Sequence, residues 1–170
     1  MYKIGNVTDI TWDIRDFPAL AWSRKPFNDA SQLERWQSIG FTHANYNGLL
    51  IDASRPTDLP DWARLLAEIE FDYENIAVSL FCMMPGDIIP QHSDTYSRYR
   101  KVFGISDPNL IWRSLVMLDD WKSGHYLEID GIPETRWTAG NTFTWNNDAL
   151  HIAANIGTEP RYTLQVTGTR

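Results

Sequence analysis

The chain has 170 residues with a formal net charge of −7, a length that fits one folding unit around one core. A net negative field repels phosphate backbones and argues against nucleic acid as a partner. A single cysteine, Cys82, excludes an intrachain disulfide and fits a reducing, cytoplasmic setting. The N-terminal residues lack a basic stretch followed by an apolar one, and no long apolar run follows, so neither a secretory leader nor a membrane span is expected.

Residues 1–73 mix short strand-like runs with two helical candidates. Over 31–39, Ser31 can cap a helix and Glu34 stands three residues on, a capping-box pattern. Over 58–72, Leu59, Trp62, Leu65, Leu66 and Ile69 recur at three- and four-residue spacing, with Thr57 or Asp58 as cap. From residue 75 the pattern is β to the end. Apolar runs Ile76–Met84 and Leu110–Leu118 stop at Pro85-Gly86 and Asp119-Asp120. Tyr126–Ile129 runs into Asp130-Gly131. Arg136–Trp137 and Asn141–Trp145 flank Ala139-Gly140, and Ile152–Asn155 and Tyr162–Val166 flank 157–160. Many short strands separated by turn signals predict a mainly antiparallel β sandwich or barrel, with the N-terminal helices packed on its outside.

Three residues suggest a metal site. His92 and Asp94 stand at i and i+2, which puts both side chains on one face of a strand or strand end. His151 arrives from a later strand. Two imidazoles and one carboxylate make a facial set that suits Fe(II) and leaves positions open for a co-substrate and O₂. Ten residues beyond His151 lies Arg161, in a strand-like run where Arg161 and Thr163 share a face. A guanidinium fork beside a hydroxyl is a good anchor for a carboxylate.

Together these motifs resemble the Fe(II)/2-oxoglutarate-dependent oxygenases. The chain is most similar to their aspartyl/asparaginyl β-hydroxylase-like branch, which includes free-proline hydroxylases. The resemblance rests on Pro85-Gly86 ahead of His92 and Asp94, then Arg113 in a strand, then Trp137-Thr138-Ala139-Gly140. Trp145 follows six residues before His151, then His151 to Asn155, and Arg161 with Thr163. It implies a double-stranded β-helix, jelly-roll or cupin-like, with the site on a core over 75–168 and the whole of 1–170 as one oxygenase domain. It also implies that His92, Asp94 and His151 hold Fe(II) and that Arg161, helped by Thr163, anchors 2-oxoglutarate. Arg113 and Trp145 would stand near that co-substrate, and Arg113 could instead serve the substrate. The reaction implied is a dioxygenase hydroxylation of a free amino acid or a peptide residue, with O₂ consumed and succinate and CO₂ released. The acidic Asp94 favours hydroxylation over halogenation, because no ligand position is vacated for halide. The chain departs from some branch members at Leu115, where they carry a His, and at Phe81, where they carry a hydroxyl.

Two other classes stay open on sequence grounds. One is a non-catalytic β-helix that binds a ligand or partner, which the intact triad with Arg161 disfavours. The other is a cupin-like metalloenzyme that does not use 2-oxoglutarate, which Arg161 at its spacing disfavours. Among the remaining residues, His43 reads as a polar strand or loop residue, His125 as solvated or capping beside a turn, and Cys82 as buried and inert. Trp112, Trp121, Trp137 and Trp145 read as core or pocket wall. The stretch Tyr96 to Lys101 would rim the site, either receiving an acidic substrate or lying as a solvated loop. The oligomeric state and the identity of the substrate are not encoded in any of these signals.

Overall fold

A computed structural model describes residues 3–6, 22–24, 27, 29–42, 46–52 and 72–170. The elements in chain order are β1 (Lys3–Asn6), β2 (Ser23–Arg24), α1 (Ala30–Ser38), β3 (Leu49–Asp52), β4 (Glu74–Met83), β5 (Ile88–His92) and α2 (Ser97–Phe103). A 3₁₀ turn at Pro108–Leu110 leads into β6 (Ile111–Met117). Then come β7 (His125–Ile129), β8 (Ile132–Glu134), β9 (Asn141–Asn146), β10 (His151–Asn155) and β11 (Arg161–Thr169).

From β4 onward the chain alternates between two antiparallel sheets, except that the hairpin β7–β8 lies wholly in the smaller one. The larger has the order β1-β9-β6-β11-β4-β3-β2, and the smaller β5-β10-β7-β8. The two-sheet antiparallel sandwich is what the strand and turn signals predicted, and its winding is the double-stranded β-helix that the family resemblance implied. The core lies between the sheets. Phe81, Met83, Leu115, Met117, Phe143 and Trp145 of the larger sheet meet Ile89, Leu127, Ile129 and Ala153 of the smaller. On alternate positions of the larger sheet, Leu80, Val116, Leu164 and Val166 are also fully buried. Burial on both faces explains why these strands read as continuous apolar runs rather than as alternation.

Turn chemistry sets the register. Asp130 and Gly131 both take positive φ, 51° and 78°, which a two-residue hairpin between Ile129 and Ile132 requires. Pro85-Gly86 turns β4 into β5, with Gly86 at φ 89°.

Four expectations need correction. The helix predicted over 31–39 begins at Ala30, and its cap is Asp29 rather than Ser31. The Asp29 carboxylate accepts from the Ser31 and Gln32 amides at 3.1 and 3.2 Å, so the acid two residues upstream takes the first orphan donors. Arg136–Trp137 is not a strand, because Arg136 adopts φ 60° and breaks extension while Trp137 drops into the core. The segment after Asp94 is the helix α2 rather than a solvated loop, with Tyr99 buried beneath it. His125 is buried rather than solvated. The candidate helix over 58–72, apart from its last residue, and His43 lie outside the described residues. Trp36 of α1 packs between Phe27 and Tyr46, with ring centroids 4.6 and 5.3 Å away, and donates through Nε1 to the Gln91 carbonyl. Helix α1 thereby braces the strand that ends in His92.

Candidate functional site

β5 ends on His92 and β10 begins on His151, and the two residues are direct partners across the ladder. Their rings lie 4.2 Å apart. Asp94, two residues past the end of β5, completes the group: one ligand atom from each of the three lies within 4.8 Å of the others. The His92 Nε2 is 3.9 Å from Asp94 Oδ1, and the His151 Nε2 is 3.7 Å from Asp94 Oδ2.

The other ring nitrogens fix the tautomers. The Nδ1 of His92 donates to the Pro90 carbonyl at 2.9 Å, and that of His151 to the Ala149 carbonyl at 3.0 Å. A carbonyl only accepts, so each Nδ1 carries the hydrogen and each Nε2 presents a lone pair to the shared centre. Burial holds His92 down to about 4, with His151 adding to the effect, and burial likewise lowers His151. Both imidazoles are neutral near pH 7, as ligation requires. Burial opposes the Asp94 charge, yet Arg113 and the two imidazoles outweigh it and hold the carboxyl at about 2. This is a neutral–neutral–anionic donor set suited to a divalent cation.

Arg113 projects inward from β6. Its Nη1 lies 3.1 Å from Asp94 Oδ2, its guanidinium sits 5.0 Å over the Tyr96 ring, and its Nε donates to Thr167 Oγ1 at 3.4 Å. The strand thus places Arg113 on the acidic member of the triad. Trp145, its neighbour across the β6–β9 ladder, lies 5.1 Å from the His151 ring, and its buried Nε1 has no hydrogen-bond partner among the described residues.

Arg161 opens β11 and is 2% exposed. It donates to the Tyr126 carbonyl at 2.6 Å and to the Met83 sulfur at 2.8 Å, while its Nε has no partner among the described residues. No carboxylate among the described residues forms a salt bridge with it. Burial pulls its guanidinium down to about 10. Thr163, on the same face, is fully buried, and its hydroxyl has no partner among the described residues. A desolvated cation beside an orphan hydroxyl is costly unless an anion completes it.

These groups share one cavity of about 650 Å³, onto which His92, Asp94, His151, Arg113, Arg161 and Trp145 all open. Phe81 and Leu115, the positions of departure noted above, are part of its wall. Six of the seven site residues expected from sequence therefore line one cavity, and the seventh, Thr163, is buried beside Arg161 on the same face of β11. Gln165 and Thr167 were not singled out, whereas Tyr96 opens the stretch expected to rim the site and does line the cavity. Gln165 and Thr167 continue the two-residue period of Arg161 and Thr163 along β11 into the cavity, a signal the sequence did carry. Tyr96 is held at φ 50°, a backbone conformation that no sequence pattern announced.

The same chain matches the aspartyl/asparaginyl beta-hydroxylase family over residues 9–170. It belongs to that family. Among solved structures it is similar to a prolyl-4-hydroxylase from Pseudomonas putida, at 16% identity, with 99% of this chain and 92% of that one covered and a TM-score of 0.53. At that identity the likeness concerns the fold. Weaker similarities are to the plu4264 protein of Photorhabdus luminescens (8% identity, 74% and 78% covered, TM-score 0.47) and to the cupin domain of Cnp3 from Schizosaccharomyces pombe (14% identity, 56% of each covered, TM-score 0.40). No curated protein matches by sequence. Among the described residues no helix is long and apolar enough to cross a membrane.

Proposed function

We propose that this hydroxylase uses Fe(II) and 2-oxoglutarate, and that it acts on a free amino acid or a residue in a peptide. The observation that carries this reading is the pairing, in one cavity, of the His92–Asp94–His151 set with the uncompensated Arg161. A metal site alone would suit many chemistries. The addition of a buried cation and the Thr163 hydroxyl calls for a carboxylate ligand of the kind 2-oxoglutarate carries.

In this reading His92, Asp94 and His151 hold the iron, and Arg161, which has no carboxylate partner among the described residues, takes the distal carboxylate, with Thr163 as second donor. Arg113 keeps Asp94 ionised and oriented, and Trp145 walls the site beside His151. When bound, the iron and the oxo acid would together supply O₂ activation, with the oxo acid converted to succinate and CO₂ and the iron retained. Asp94 remains a ligand, which favours hydroxylation. Residues 1–170 are read as one such unit, at work in the cytoplasm, where the lone buried Cys82 meets a reducing medium.

Anaerobic addition of Fe(II) and then 2-oxoglutarate should produce a visible charge-transfer band, and admission of O₂ should release succinate. Absence of both, across amino acids, peptides and nucleosides offered as substrate, would overturn this function in favour of a ligand-binding β-helix. A metal-dependent reaction without succinate would favour the cupin-like alternative.

A further inference from the structure

Among the described residues Arg161 is held by two hydrogen-bond partners, the Tyr126 carbonyl and the Met83 sulfur. What fixes the start of β11 is a junction built around Asn155, the last residue of β10, and His125, the first of β7. The two face each other across the ladder. Asn155 is fully buried, and its amide donates both to the Met83 carbonyl and to the Glu159 carbonyl at 2.8 Å each. The His125 Nε2 donates to the same Glu159 carbonyl at 3.0 Å. Asn155 Oδ1 in turn accepts from the Gly157 amide at 3.1 Å, which shapes the turn that ends two residues later at Glu159.

The geometry converges on Arg161 from every side. Glu159 lies two residues before it in the chain. Met83 supplies its carbonyl to Asn155 and its sulfur to Arg161. Tyr126, the other partner of Arg161, follows His125 directly and pairs with Ala154, the neighbour of Asn155. The turn is also packed too tightly to shift on its own. A Cβ on Gly124 would meet the Gly157 nitrogen at 2.2 Å, and one on Gly157 would meet the Ser123 carbonyl oxygen at the same distance. The ring of His125 lies near-parallel to that of Trp137, at 16° with centroids 6.3 Å apart.

We propose that Asn155 and His125 are positioning residues for Arg161, clamping the Glu159 carbonyl so that the guanidinium enters the cavity at the place where a carboxylate is bound. This rests on the reading of the site given above, and deepens it by naming what aims the anchor. Neither residue touches the cavity. Both act through the backbone at 159–161, so their loss should weaken the acid and leave the metal alone.

The test is equilibrium binding with whole, folded protein. Mn(II) is titrated by electron paramagnetic resonance, and 2-oxoglutarate is titrated by calorimetry into the Mn(II)-loaded protein. His125→Phe keeps a ring to stack on Trp137 but removes the donor, and His125→Gln restores an N–H. Asn155→Asp keeps the shape and removes both donations. The expected result for His125→Phe and Asn155→Asp is a 2-oxoglutarate Kd raised on the order of tenfold, with the Mn(II) Kd unchanged and His125→Gln recovering most of the loss. Thermal melts identify any variant that fails to fold. His125→Phe, buried ring for buried ring, keeps the test open should Asn155→Asp unfold. Wild-type 2-oxoglutarate affinity in folded His125→Phe would overturn the clamp, and so would a parallel loss of Mn(II) and 2-oxoglutarate. If the wild-type protein itself takes up Mn(II) but no 2-oxoglutarate, the reading of the site fails and the clamp falls with it.

Discussion

Replacing Arg161 by Met separates what the site costs the fold from what it gives to binding. The guanidinium is buried without a salt-bridge partner among the described residues, and burial lowers it from 12.5 to about 10. At about 1.4 kcal/mol per pH unit, the surroundings oppose the charge by on the order of 3 kcal/mol. Both values lie well above neutrality, so the penalty is in full force at pH 7 and lifts only as pH rises through about 10. Against it stands the hydrogen bond to the Tyr126 carbonyl, a contribution of roughly 1 kcal/mol. Arg161→Met should therefore stabilise the ligand-free protein by about 2 kcal/mol, as apolar replacement of buried charge often does. The same change removes two charge-assisted hydrogen bonds to a carboxylate, about 1.5–3 kcal/mol each, or a roughly 10²–10⁴-fold rise in Kd at about 1.4 kcal/mol per decade. Urea melts of the metal-free protein and calorimetric titration of 2-oxoglutarate measure the two effects on one preparation. A variant that binds 2-oxoglutarate within a few-fold of wild type would refute the role of Arg161 as anchor. A variant destabilised by several kcal/mol would refute the argument that its charge is uncompensated.

The remaining expectations concern the metal set and the core. Asp94→Ala removes the only anionic member of the triad and leaves Arg113 without its carboxylate. It should abolish substrate-coupled succinate release and lower Mn(II) affinity by about 100-fold, and wild-type turnover by this variant would remove Asp94 from the site. Burial holds His92 at about 4 against 6.5 in the unfolded chain, so as pH falls the unfolded state takes up its proton first. Metal-free protein should lose on the order of 3 kcal/mol from this residue between pH 6.5 and 4, while the Asp94 contribution, with its carboxyl at about 2, is lost only below 3.8. Melting temperature against pH reads this out: His92→Gln should show a shallower fall, and a flat wild-type profile contradicts the burial argument. Leu164→Ala, at a fully buried position of β11, should cost about 2–5 kcal/mol in urea melts without altering the Mn(II) Kd.

The parts of this site that could be read from sequence are those that obey the two-residue period of a strand. His92 and Asp94 straddle the end of β5, and Arg161 and Thr163 open β11 on its inner face, while Leu164 and Val166 lie buried on the other side of the same strand. A side chain's face follows from its position in such a run, so chemistry set at i and i+2 is legible in the order of residues alone. What lay beyond reach depends on partners distant in the chain. His125 reads as a turn residue until the Glu159 carbonyl, 34 residues away, is seen to receive its N–H. Asn155 stands out in the sequence only as a motif letter, because its two carbonyl partners come from β4 and from the turn before β11. Local conformations were hidden for a different reason. Tyr96, Arg136 and Asp130 all take positive φ, but only Asp130 stands beside a Gly in a recognised turn pair, and only there did the sequence declare it. The cap of α1 shows the competition directly: Ser31 and Asp29 are both good cap residues, and the carboxylate two residues upstream accepts from the Ser31 amide and hydroxyl alike. Periodicity therefore placed the groups that face the cavity, while the groups that hold them in place became visible only through contacts that close long loops.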